Sequence, residues 1–97
     1  MSTPKTRTVT VKNAQGLHAR PAHALVQLAS KYESNIMIGK TSELVDCKSI
    51  LSILTLGAAD GTELTVSAAG DDANDALEKI SDFFETGFDG ADPAVDT

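Results

Sequence analysis

The residues best equipped for chemistry lie in one short run, Gly16-Leu17-His18-Ala19-Arg20-Pro21-Ala22. Gly16 permits a sharp turn, and Pro21 suits the first turn of a helix, where its missing N–H costs nothing. His18 is therefore expected at or just before a helix start, beside backbone N–H groups with no acceptor inside that helix. Such an end carries about half a positive charge and suits an anion, phosphate above all. A histidine ring nitrogen there can act as a nucleophile and carry a phosphoryl group. Arg20 adds a permanent cation whose planar donor fork matches phosphate oxygens. These residue types suggest a reversible phosphohistidine at His18. Arg20 would steady the phosphate, and backbone at Ala19 and Ala22 would contact it.

The elements that must position these residues can be read from periodicity. Thr6-Arg7-Thr8-Val9-Thr10-Val11-Lys12 is β-branched and alternating, and reads as a strand that ends before the turn Asn13-Ala14-Gln15-Gly16. Ala22, Leu25, Val26 and Ala29 recur at helical spacing, with His23, Gln27 and Ser30 facing outward and Tyr32 closing the apolar face. Asn35–Gly39 and Glu43–Cys47 read as two short strands, with Met37 and Cys47 expected in the core. Ser49 can cap a short helix, Ile50 to Leu56, which stops at Gly57. Gly61–Ala68 alternates with Leu64, Val66 and Ala68 on one side.

The last helix is the best marked. Asp71 or Asp72 can cap it, and Ala73, Ala76, Leu77, Ile80, Phe83 and Phe84 form its apolar stripe. Asp75 and Lys79 have the spacing of a favourable ion pair, and Gly87 is a suitable stop. From Phe88 onward the chain is acidic and poor in hydrophobic residues. Residues 1–88 are therefore taken as the domain and residues 89–97 as a disordered tail. The order β-α-β-β-α-β-α points to an α+β open-faced sandwich, with three helices on one face of a four-stranded sheet.

Two stretches carry a family resemblance. GLHARPA, residues 16–22, resembles the active-site motif of the HPr family, small phosphocarriers of the bacterial phosphoenolpyruvate-dependent phosphotransferase system. Lys48-Ser49-Ile50-Leu51-Ser52-Ile53-Leu54-Thr55-Leu56-Gly57 resembles the family's segment around a regulatory serine. The similarity runs from about Arg7 to about Gly87, with matching spacing between the two motifs.

The resemblance implies an antiparallel sheet and a stoichiometric phosphocarrier in place of a stand-alone enzyme. His18 would take a phosphoryl group from phosphorylated Enzyme I, on Nδ1, and pass it to sugar-specific EIIA-type acceptor proteins. It further implies that an HPr kinase/phosphorylase acts on Ser49, and that Ile50, Leu51 and Leu54 form an apolar docking patch near His18. Phosphoserine at a helix start adds about −1.5 to −2 charges and is welcome there, so capping and regulation are compatible. Two alternatives stand beside this reading. One is a regulatory binding module whose Ser49 phosphorylation is read by partners; the other is a carrier in a nitrogen-related relay. His23 departs from the small residue more usual in the family, and reads as an exposed helix histidine.

Composition narrows the classes further. The 97 residues carry a net charge of −6, unevenly placed. Residues 1–70 hold seven Lys/Arg against five Asp/Glu, giving +2, while residues 71–97 hold one lysine against nine acids, giving −8. A mildly positive half around His18 suits phosphate but lacks the basic stripe of a nucleic-acid binder. Met1–Thr10 has no apolar run of the signal-peptide kind, and no segment approaches a membrane span, so a monomeric cytoplasmic protein without membrane insertion is expected. Cys47 is the only cysteine, which forbids an internal disulfide. His18 and His23 lie about 140° apart around a helix, so no metal is expected. Gly39-Lys40-Thr41 imitates the end of a phosphate-binding loop, but Ser34 stands where that motif needs glycine. No nucleotide or other cofactor is therefore expected.

Overall fold

The computed structural model describes residues 3–41 and 43–88. Four strands are present: β1 Lys5–Thr10, β2 Asn35–Lys40, β3 Glu43–Asp46 and β4 Glu63–Ala69. Three helices alternate with them: α1 Ala19–Ala29, α2 Ile50–Thr55 and α3 Ala73–Glu85. The sheet order is β1-β4-β2-β3, antiparallel throughout. All three helices cover one face, α3 over β1 and β4, α2 against β3, with α1 packed on both other helices. This is the expected open-faced sandwich. Residues 89–97, read from sequence as a tail, lie outside the described residues.

The core forms where the two periodicities meet. Ile36 and Ile38 of β2 and Leu64, Val66 and Ala68 of β4 present one face of the pleat and are buried. Ala22, Leu25 and Ala29 of α1, Ile53 of α2, and Ala73, Ala76, Leu77, Ile80 and Phe84 of α3 close onto them. At about 25 cal/mol per Å² of apolar surface removed from water, each large core side chain contributes about 1.5–3 kcal/mol.

Several expectations need correction. β1 ends at Thr10, because Val11 leaves the ladder to donate to Thr62 O (2.9 Å) and to accept from Gly61 N (2.8 Å). Met37 is half-buried outside the core. Its side chain falls on the pleat opposite Ile36 and Ile38, level with Ser67 and Thr6 on the face without helices. Asp72 occupies the N-cap position of α3 but makes no side-chain cap. Its carboxylate instead accepts from Glu33 N (2.9 Å), Ser34 N (3.0 Å) and the Ser34 hydroxyl, tying the start of α3 to the α1–β2 turn. Asp75 does not pair with Lys79; it faces Tyr32, whose hydroxyl is held above its usual pKa by burial and then by the Asp75 and Asp72 charges. Phe88, the last residue of the expected domain, is buried against the core although the chain from it onward reads as acidic and poor in hydrophobic residues.

Phe88 is held by the way α3 ends. Gly87 N donates to Phe84 O (3.0 Å) and Phe88 N to Phe83 O (3.1 Å), the paired bonds of a Schellman stop with Gly87 at positive φ. The Phe88 ring then lies 5.1 Å from that of Phe83 and 5.2 Å from that of Phe84. That contact is the hydrophobic one such a stop commonly makes.

Candidate active site

The turn before α1 is built from local chemistry. Gly16 N donates to Asn13 O (2.8 Å), and Gln15 N donates to the Asn13 side-chain oxygen (2.9 Å). The backbone is thereby closed by a residue that readily makes such turns. Gly16 has φ +72, and a Cβ there would stand 2.5 Å from Ala58 O. Only glycine allows both that conformation and that approach. The next amide, Leu17 N, donates to Ala58 O at 2.9 Å, fastening the turn to the chain that leaves α2.

His18 comes next, at the N-cap of α1, with extended backbone (φ −85, ψ −171) and a half-buried side chain. Ala19 and Arg20 form the exposed start of the helix, and Pro21 is buried in its first turn. Ala22 corrects the sequence reading. It is fully buried and its N–H donates to His18 O at 2.9 Å, so that donor is committed to the helix. The amide of Ala19 lies in the part of the first turn where no helix carbonyl can reach it.

A cleft of about 670 Å³ opens at this point. It is lined by His18, Ala19, Arg20 and Pro21, by Asn13, Ala14 and Gln15 of the preceding turn, and by Phe88. Sequence reasoning brought His18, Ala19 and Arg20 together here but missed Asn13 and Phe88. Phe88 was findable, since an aromatic just after a helix-stopping glycine packs back on the last turn. The bond from Asn13 Nδ2 to Gly87 O (3.3 Å) joins residues far apart in sequence and has no local signal.

Ser49 stands at the N-cap of α2 and accepts from Ser52 N at 3.3 Å, the cap expected of it. Of the three residues expected to dock partners, Leu51 is 73% and Leu54 41% exposed, while Ile50 is half-buried against the core. The six residues of α2 thus leave two large apolar side chains in water, which is how docking surfaces are built.

The two candidate phosphorylation sites lie at opposite ends of an antiparallel helix pair. Lys48 Nζ donates to Tyr32 O (2.7 Å), placing the start of α2 at the end of α1. The bond from Leu17 to Ala58 places the chain leaving α2 at the start of α1. The 11 residues of α1, which lie between those anchors, are about 16 Å long. Leu51 and Leu54 lie along the stretch that separates Ser49 from His18. Lys48 itself is occupied by the Tyr32 carbonyl. Among the described residues no helix is long and apolar enough to cross a membrane.

Comparison with known proteins agrees with this fold. The family model described as PTS HPr component phosphorylation site matches residues 5–86. An HPr from Thermoanaerobacter tengcongensis is 42% identical, with 88% of this chain and 96% of that one covered at a TM-score of 0.83. The phosphocarrier protein HPr of Bacillus anthracis is 34% identical, with 84% and 96% covered and a TM-score of 0.79. Crh of Bacillus subtilis, described as a catabolite repression HPr, is 37% identical over 81% of this chain and 91% of its own, with a TM-score of 0.69.

Proposed function

The chain belongs to the HPr family of phosphotransferase-system phosphocarriers, and from that premise we propose that His18 is the residue that carries the phosphoryl group. The observation that supports this is the shared cleft: His18, the exposed start of α1 and Arg20 all line it. Phosphoryl transfer asks a protein mainly for positioning and for donors that spread charge over the phosphate oxygens. In the proposed step, the bond from phosphorus to its carrier atom on phosphorylated Enzyme I breaks as Nδ1 of His18 forms the new N–P bond. The bonding pair stays with the carrier atom of Enzyme I. Arg20 and the Ala19 amide hold the oxygens, and the same step runs in reverse toward a sugar-specific EIIA-type acceptor.

Ser49 is proposed as the regulatory site, modified by an HPr kinase/phosphorylase, with Leu51 and Leu54 as the apolar contacts of docking. Ile50 contributes from beneath. Because α1 and α2 set Ser49 at the end of the pair remote from His18, phosphate on Ser49 acts on the docking partner. A charge there would meet the same partner surface that must settle over Leu51 and Leu54.

The test is incubation with phosphoenolpyruvate and Enzyme I. Wild type should gain an acid-labile, base-stable phosphate, and His18→Ala should gain none. Phosphate retained by the His18→Ala protein would overturn the assignment. The likeness to Crh favours a second reading, in which the Ser49 state is itself the output. A protein that takes phosphate from ATP and a cognate kinase, yet never from Enzyme I, would establish that reading.

A further inference from the structure

The end of α3 carries more strain than a helix stop requires. The paired bonds of that stop need one left-handed residue, and Gly87 supplies it with φ +67. Phe88 is left-handed as well, with φ +70, a conformation costly to a bulky side chain. Such outliers persist only where surrounding contacts over-determine them, and they gather at functional sites. The contacts here are the rings of Phe83 and Phe84, against which Phe88 is 3% exposed. The site is the cleft that Phe88 lines together with His18.

The same end of α3 is fastened to the chain that leads to His18. Glu85 Oε1 pairs with Lys12 Nζ at 2.8 Å. A Cβ on Gly87 would stand 2.6 Å from Lys12 O, so the two backbones touch. Gly87 O accepts from Asn13 Nδ2 at 3.3 Å. Asn13 then closes the turn before α1, its side-chain oxygen accepting from Gln15 N and its carbonyl from Gly16 N. His18 follows two residues later as the N-cap of α1. The Asn13 side chain therefore bonds both to the turn that carries His18 and to the residue that Phe88 anchors. The ion pair is exposed at both ends and holds this junction weakly. The buried ring is the stronger anchor.

We infer that Phe88 is a positioning residue for phosphoryl transfer at His18, acting through Gly87 O and Asn13 on the turn that orients His18. The inference rests on the proposed role of His18 and adds the support behind that nucleophile. Without the Phe88 ring, Gly87 loses its anchor and Asn13 its fixed acceptor, and His18 spends less time aligned for transfer. Docking is spared, because Leu51 and Leu54 stand on α2, apart from this junction. The loss falls on the transfer step and not on binding.

The experiment follows single-turnover transfer from phosphorylated Enzyme I to the full chain over a range of chain concentrations. Phe88→Ala should lower the maximal rate about tenfold, within what a small misplacement of a reacting group costs, and leave the half-saturating concentration unchanged. Phe88→Leu keeps a packed apolar side chain and should lose only about twofold. The double variant Asn13→Ala/Phe88→Ala should be no slower than the slower of its two single variants, because both act along one path. Ile36→Val, a core change in β2 outside the cleft, should keep the wild-type rate. In 15N spectra, Phe88→Ala should move the Asn13 side-chain amide and the His18 ring signals. A raised half-saturating concentration at an unchanged maximal rate would overturn the inference, as would losses that multiply in the double variant. An equal loss in Ile36→Val, or unmoved Asn13 and His18 signals, would do the same. If Phe88→Ala does not fold, Phe88→Leu is read in its place, and a wild-type rate there counts against the inference. A wild type that takes no phosphate from Enzyme I would remove the reading of His18, and the spectra would then judge the positioning by themselves.

Discussion

Leu17 N donates to Ala58 O at 2.9 Å, so the residue before His18 hangs from the chain that leaves α2. That bond exists because Gly16 lies against Ala58 with φ +72. Gly16→Ala should therefore cost about 1–3 kcal/mol, from backbone strain and the clash together. Urea unfolding measures the loss. Phosphorylation by Enzyme I should slow as well, because the N-cap residue is displaced with the turn. A Gly16→Ala protein of wild-type stability would show that the approach to Ala58 is dispensable.

Ser49 has a capping role that can be separated from a regulatory one. Ser49→Ala removes the acceptor of the Ser52 N–H and should cost about 1 kcal/mol of stability. Ser49→Asp keeps a capping oxygen and should be close to wild type in urea. It should nonetheless slow phosphorylation by Enzyme I several-fold while leaving the His18 ring signals unmoved, since salt screens charges beyond about 10 Å. An unchanged rate in Ser49→Asp would remove the electrostatic argument for this site.

Asp72 makes stability depend on acidity. Its bond from the Ser34 hydroxyl, then that from Glu33 N, hold its carboxyl below the ordinary aspartate range. A carboxyl depressed in the folded state contributes stability that is complete above the unfolded value, about 4, and lost as pH falls through the folded value. Asp72→Asn should lower the urea midpoint at pH 7, and the gap from wild type should narrow between pH 4 and pH 2. A gap of constant size across that range would mean that the charge on Asp72 is not what matters.

Cys47 should be inert in the native protein. It is fully buried, and burial, followed by the Asp46 charge, pushes its thiol up to about 12. Thiolate is the reactive form, so iodoacetamide at pH 8 should label it only through unfolding. The labelling rate should therefore rise steeply through the urea transition. Rapid labelling in buffer would show that the β3–α2 junction opens on its own.

The sequence by itself determined everything that depends on neighbours along the chain. Alternation in residues 63–69 and helical spacing in residues 73–85 were enough for β4 and α3, because one-sided burial imposes its period on the residues that make it. The Ser49 cap, the Asn13–Gly16 turn and the placement of His18 at a helix start are likewise local events, each closed within about four residues.

Only the tertiary structure decided which competing partner each polar group takes. Asp72 could have capped its own helix, but Ser34 and Glu33 bring donors that are 38 and 39 residues away. Asp75 turns to Tyr32 and Lys12 reaches Glu85 for the same reason. The antiparallel packing of α1 and α2 put Ser49 far from His18 although both head helices. The close approach of Gly87 to Lys12 delivered Phe88 to the cleft that His18 and Arg20 line. Such choices rest on contacts between segments that meet only after the sheet has assembled, and no spacing within one segment encodes them.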